Sequence, residues 1–216
     1  MREVVDGIVS GTERMHAVVN SMLDVSRLTS DNLNISPAPV MLRNVINSLL
    51  TYLSSAIEER DLHVVEEHVP NLPLFNADPT LVAKAIQHLL VNAIKYTPDG
   101  GTITISTQPV TLQGDRPGVE VSIADTGIGL EPEDLDLVLE KYYQVGKVEL
   151  HSSGKTTFKG GGPGVGLAIA RGVANSHGGR IWAVSSGHDE ERLPDSVFYF
   201  QLPLDPVPSS NSSNGV

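Results

Sequence analysis

The chain has 216 residues, 40% of them hydrophobic, a formal net charge of -11 and no cysteine. That length buries at least one good core in about one to two domains. The charge excludes the clustered Lys and Arg of a non-specific nucleic-acid surface, and the missing cysteines exclude disulfides, thiolate metal sites and thiol nucleophiles. No apolar run approaches the roughly 20 residues that span a bilayer, so a soluble chain is expected.

From Met1 to Leu28, Val5, Ile8, Met15, Val19 and Met22 recur at spacings of three and four. This predicts one long amphipathic helix whose narrow apolar seam needs a partner. Thr29 to Asn32 break it and Pro37 and Pro39 keep it from continuing, which makes residues 29–39 the expected hinge. A short strand or entry segment is expected over Pro39–Leu42. A helix from Arg43 to about Arg60 follows, with Val45, Ile46, Leu49, Leu50, Leu53 and Ile57 on one face, then a strand over Leu62–Val69. Asn76-Ala77-Asp78-Pro79 is a cap with proline at the first helical position, and it launches a helix through Leu81, Ile86, Leu90 and Ala93 that stops at Pro98. Thr102–Gln108 and Val119–Ala124 alternate as a hairpin about a turn-rich Gln113–Gly118. Glu131-Pro132-Glu133-Asp134 is expected to start a short helix. The polar, glycine-bearing Gln144 to Pro163 is expected to be either a functional loop such as a lid or a disordered one. Val165–Ser176 is a helix closed by His177-Gly178-Gly179, Arg180–Ser185 and Ser196–Leu202 are strands, and the polar tail should be disordered.

Three polar islands lie at the ends of these elements, where sites are built. Asn92 falls on the polar side of its helix and offers an amide oxygen to a hard cation such as Mg²⁺, with Lys95 near enough in the helix to meet a phosphate and Tyr96 to pack on a flat base. Asp125 ends a strand before Gly127 and Gly129, where its carboxylate accepts from an exocyclic amino group or merely caps its own backbone. Gly160, Gly161, Gly162, Gly164 and Gly166 bare backbone amides where a helix begins, an arrangement suited to phosphates or to a hinge. Rival nucleotide motifs fail. Gly154-Lys155-Thr156 has Glu149 where a P-loop needs its first glycine, and Leu167 stands where a dinucleotide fingerprint needs its last. The seven histidines show no metal-ligand spacing.

Asn92 with Lys95-Tyr96-Thr97-Pro98, Asp125-x-Gly127-x-Gly129, Tyr142-Tyr143-Gln144 and Gly162-x-Gly164-x-Gly166-Leu167 resemble, in order and spacing, four boxes of the sensor histidine kinases. These are the N box, first glycine box, F box and second glycine box. Ser21-Met22-Leu23-Asp24-Val25-Ser26-Arg27-Leu28 resembles the second helix of the kinase dimerisation and phosphotransfer hairpin. The resemblance implies the ATP-binding fold shared with gyrase, heat-shock chaperone and mismatch-repair ATPases. That is an α/β (α+β) two-layer sandwich, a mixed sheet with helices on one face, preceded by one long helix.

It implies that Asn92 holds Mg²⁺ and Lys95 faces the phosphates. Tyr96 would face the base, Asp125 would take the adenine amino group, and a lid over about Gln144 to Gly162 would close on the triphosphate. Tyr143, Val165 and Leu167 belong to the boxes and join the expected ATP-binding set, as does His88, which replaces the second asparagine usual four positions before Asn92. A further departure is the absence of the phosphoacceptor motif. His16 is the only N-terminal histidine and has neither an acidic neighbour after it nor a proline. The expectation is therefore a fragment that begins after the phosphoacceptor helix and does not autophosphorylate. Residues 1–30 would be the second hairpin helix, 31–204 the ATP-binding catalytic domain and 205–216 a tail. The implied partners are the first hairpin helix, a homodimer partner and a response regulator, with no nucleic acid. The implied location is cytoplasmic, with any membrane anchor upstream. The alternatives are a related ATPase doing conformational work and a degenerate kinase serving as a nucleotide-binding scaffold.

Overall fold

In the computed structural model the described residues are 11, 12, 15, 19, 35–68, 72–145, 156–159 and 164–205. Of the expected first helix only Gly11, Thr12, Met15 and Val19 are described. All four are helical, and Met15 and Val19 are exposed. The rest of that helix, His16, the hinge up to residue 34, most of the expected lid and the tail from 206 lie outside the described residues.

The central sheet has five strands: β2 (His63–His68), β4 (Thr102–Leu112), β5 (Arg116–Asp125), β9 (Ser196–Pro203) and β7 (Arg180–Ser185), in the order β2-β4-β5-β9-β7. β2 runs parallel to β4 and every other neighbouring pair is antiparallel, so the sheet is mixed as expected. Alternation along the strands turns Ile103, Ile105, Val121, Ile123, Phe198, Phe200 and Leu202 to one face. Three helices share that core: α1 (Leu42–Glu59), α2 (Pro79–Tyr96) and α3 (Gly166–Ser176). Ala85 and Ala93 of α2 and Ala170 and Ala174 of α3 are fully buried small residues, which suits the close packing of these two helices.

Across the opposite face runs a polar row. Arg180 Nε donates to Gln201 Oε1 at 2.8 Å, and the Gln201 and Gln108 amides both donate to Glu120, at 2.6 and 2.7 Å. Beside it Trp182 stacks on Tyr199 with ring centroids 4.9 Å apart.

Several boundaries differ from the sequence expectation. The first strand, β1, is Ala38–Val40, and Leu42 already opens α1. β1 pairs with β3 (Phe75–Ala77), where only a helix cap was expected. The hairpin strands extend to Leu112 and back from Arg116, so Pro109 lies inside β4. It is tolerated because β2 pairs only as far as Thr107, leaving β4 without a neighbour on that side among the described residues. Gly114 and Asp115 both take positive φ in the turn. No α-helix starts at Glu131. Turns lead to a single 3-10 turn at Leu137–Leu139, too short a span to sustain the 3.6-residue period. β6 (Gly129–Leu130) and β8 (Gly187–His188) form a separate two-stranded pair that was not expected. Among the described residues no helix is long and apolar enough to cross a membrane.

α2 begins as expected. Asp78 Oδ1 accepts from the Thr80 and Leu81 amides at 3.0 and 3.1 Å, with Pro79 at the first helical position. The cap is tied to the end of α3 by His177, which is 1% exposed. The Asp78 amide donates to its Nε2 at 3.0 Å, and its Nδ1–H donates to the Val173 carbonyl at 2.8 Å. His177→Phe leaves the Asp78 amide without its acceptor inside the fold, while the Val173 carbonyl keeps the Ser176 hydroxyl at 2.9 Å, so urea unfolding is expected to give a stability loss of about 1–3 kcal/mol. An unchanged midpoint would remove His177 from the cap.

Candidate functional site

The site forms where α2 ends, β5 ends and α3 begins. Asp125 closes β5 and is 3% exposed. The Ser196 hydroxyl, set opposite by the β5–β9 register, donates to its Oδ2 at 2.5 Å. Oδ1 is buried and accepts no well-formed hydrogen bond from a described residue, although the Gly127 amide is near enough to act on the carboxyl. Burial lifts this carboxyl from 3.8 to about 7 and nearby Asp195 adds to the rise, while the Ser196 hydroxyl and the Gly127 amide pull it back. The result is a buried acceptor with one oxygen held and the other unpaired among the described residues, which fits an incoming amino group.

The glycines after it are there for space. A Cβ on Gly127 would lie 2.3 Å from Asp125 Oδ1 and 2.5 Å from the Tyr96 carbonyl. At Gly129, φ is +69° and a Cβ would meet the Gly187 carbonyl at 2.1 Å. The segment after β7 backs this turn. The Asp189 amide donates to the Ile128 carbonyl at 2.9 Å and the Asp195 amide to the Gly127 carbonyl at 3.3 Å, while His188 Nδ1 lies 3.2 Å from the Gly129 carbonyl.

α2 brings His88, Asn92, Lys95 and Tyr96 to the same region, all of them half-buried. The Lys95 ammonium sits 4.8 Å from the centre of the Tyr96 ring. Burial lowers the Lys95 pKa and raises that of Tyr96. His88 packs on the start of α3, where a Cβ on Gly166 would lie 3.0 Å from its Nδ1. Gly166 therefore makes room for the neighbouring helix, a role sequence reading did not assign to it.

At the entrance to α3, Gly164 has φ +65° and its carbonyl accepts from the Tyr142 amide at 2.8 Å. Val165 is the N-cap and is buried, and no side chain among the described residues caps the helix. Its first amides are thus available to an anion. Leu167 packs against the core. Tyr143 is occupied at its hydroxyl, which donates to Asp134, and its carbonyl lies beside Gly164. Gly160, Gly161 and Gly162 lie outside the described residues.

Sequence reasoning missed Ser196, the segment behind the glycine turn and Arg60, which donates to the Thr97 carbonyl at the end of α2 at 2.7 Å. None carries a local signal, because each meets the site from a distant part of the chain. The described residues contain no His/Asp/Glu cluster able to hold a metal by itself. Asn92, a neutral amide of the kind that completes an oxygen-ligand set around a nucleotide-bound cation, is compatible with Mg²⁺.

Comparison with known proteins gives a consistent result. The family described as histidine kinase-, DNA gyrase B-, and HSP90-like ATPase matches residues 77–206. The adaptive-response sensory kinase SasA of Synechococcus elongatus is 29% identical over 195 residues, 90% of this chain and 46% of that protein. Sensor histidine kinase WalK of Bacillus subtilis is 30% identical over 178 residues, 81% of this chain and 27% of that protein. The chain thus spans less than half the length of these relatives. In fold it is similar to full-length ShkA in complex with AMPPNP, with a TM-score of 0.75 at 22% identity over 94% of this chain and 38% of that one. It is likewise similar to histidine kinase ThkA in complex with the response regulator TrrA, with a TM-score of 0.69 at 19% identity over 97% of this chain and 52% of that one.

Proposed function

Because the chain belongs to the histidine kinase-, DNA gyrase B-, and HSP90-like ATPase family, we propose that it is the Mg-ATP-binding catalytic domain of a sensor histidine kinase. The γ-phosphoryl group would go to a histidine on a partner hairpin helix and thence to a response-regulator aspartate. The observation that carries the nucleotide reading is the buried Asp125 carboxyl with an unpaired Oδ1 beside a glycine turn. Adenine presents an amino group suited to that acceptor, and the α3 N-terminus with Lys95 supplies charge for the phosphates. The named relatives support kinase over the conformational-work ATPases of the same family, and ThkA bound to a response regulator supports that partner.

In this reading Asp125 fixes the base and Tyr96 flanks it. Lys95 and the amides from Gly164 to Leu167 orient the phosphates. Asn92 holds Mg²⁺, which would neutralise phosphate charge during transfer. Residues 1–30 are the second hairpin helix and the partner for a second copy, 31–204 the catalytic domain and 205–216 a tail. The site works on the cytoplasmic side, where ATP is.

Calorimetric titration of the chain with ATP, with and without Mg²⁺, tests the reading. Asn92→Ala is expected to lose about tenfold in affinity with Mg²⁺ present and little in EDTA. No binding by the wild-type chain would sink the nucleotide assignment. Equal losses under both conditions would remove Asn92 from the metal.

A further inference from the structure

The last four carbonyls of an α-helix have no partner inside the helix. At the end of α2, the helix that carries Asn92, Lys95 and Tyr96, partners come from three separate parts of the chain. Arg60, the residue that ends α1, donates from Nη1 to the Ile94 carbonyl at 3.2 Å and from Nη2 to the Thr97 carbonyl at 2.7 Å. The Lys159 amide donates to the Lys95 carbonyl at 2.9 Å and the Ile128 amide to the Tyr96 carbonyl at 3.3 Å. Arg60 is only 8% exposed, and a guanidinium at a helix C-terminus also meets the negative end of the helix dipole.

The same guanidinium reaches further. Nη1 also donates to the Thr156 carbonyl at 2.7 Å, Nε pairs with Asp99, and the group lies 5.8 Å from the centre of the Phe158 ring. One side chain therefore joins the end of α1, the end of α2 and residues 156–159. The planar fork of arginine presents donors on three separate nitrogens at fixed angles, a spread that the three donors on the one nitrogen of lysine do not match.

We propose that Arg60 is a positioning residue for the nucleotide site: it docks residues 156–159 onto the end of α2 and so holds Lys95, Tyr96 and the first glycine turn in register. It touches no substrate and acts through the carbonyls it caps. The proposal deepens the nucleotide reading above and rests on it for the effect on binding, but the docking itself is measurable without nucleotide.

Amide exchange in the nucleotide-free chain and calorimetric titration with Mg-ATP test it together. In Arg60→Met the Lys159 and Ile128 amides should exchange at least about tenfold faster while the central amides of β4 and β5 keep their protection. Mg-ATP should bind about tenfold more weakly. Arg60→Lys, which keeps charge and loses the fork, should recover part of both. Should Arg60→Met not fold, Asp99→Ala and Phe158→Ala carry the test, since each removes an outer contact of the guanidinium and leaves its bonds to Ile94 and Thr97. Each should speed exchange at Lys159 and leave the sheet unchanged. Unchanged exchange at Lys159 in every variant that folds, or a loss of protection as large in β4 and β5, overturns the proposal. A wild-type chain that fails to bind Mg-ATP defeats the nucleotide reading alone, because the exchange result is obtained without it.

Discussion

Asp125→Asn is expected to bind ATP about ten- to a hundred-fold more weakly than the wild-type chain while being the more stable of the two at pH 8. The weaker binding follows from the acceptor. A charged oxygen is replaced by an amide that presents N–H₂ as readily as oxygen, and a hydrogen bond to a charged group contributes about 1.5–3 kcal/mol. The stability gain follows from the carboxyl being raised from 3.8 to about 7 in the folded chain. A carboxyl raised on folding is bound to its proton more tightly by the folded state, so its ionisation opposes folding. The cost is absent below about pH 4, grows between there and about pH 7 and is constant above, at roughly 4 kcal/mol.

The asparagine removes that charge but still buries an amide, so roughly 1–3 kcal/mol of stabilisation should remain at pH 8 and little at pH 5, where the wild-type carboxyl is mostly protonated. Thermal melts at the two pH values and titration at pH 8 read both effects. A variant that binds ATP as tightly as wild type removes Asp125 from the site. One that melts no higher at pH 8 shows that the carboxylate is not a buried burden.

The 216-residue chain alone, given γ-labelled ATP and Mg²⁺, is expected to take up no acid-labile phosphate, and to label a histidine on an added first hairpin helix carrying the histidine and acidic pair. Phosphoryl transfer depends on a nucleophile held in line with the γ-phosphate, and positioning can supply roughly 7–11 kcal/mol of the barrier. On that scale a misplaced imidazole loses about five orders of magnitude or more in rate, which reads as no labelling. His16 lacks the acidic neighbour that would hold and activate its ring. Label on the chain alone that disappears in His16→Gln would overturn the assignment of the N-terminal stretch as the second helix. Failure to label an added hairpin under conditions where ATP binds would favour the scaffold reading.

What the chain states locally is most of the helical frame and where the candidate site residues fall along it. Ile86, Leu89, Leu90 and Ala93 repeat with a helix period strong enough to show one buried face, and Asp78-Pro79 marks where that helix starts. Asp125 before Gly127 and Gly129, and the glycines leading into α3, are legible because a carboxylate at a strand end and bared amides at a helix start need only neighbours in sequence. Of the short pairs only the strand at β1 was legible, without its partner. β1–β3 and β6–β8 have two or three residues a strand, too few for a period to show, and each exists only because a partner tens of residues away completes its hydrogen bonds. Distance along the chain also hid the residues that complete the site. Ser196 meets Asp125 across 71 residues because β9 pairs with β5, and Arg60 reaches Thr97 across 37 and Thr156 across 96. Side-chain type alone does not say which oxygen a distant donor will find. That was decided by the folded sheet, which sets the register, and by the end of α2, whose orphan carbonyls had to be met by whatever the fold brought near.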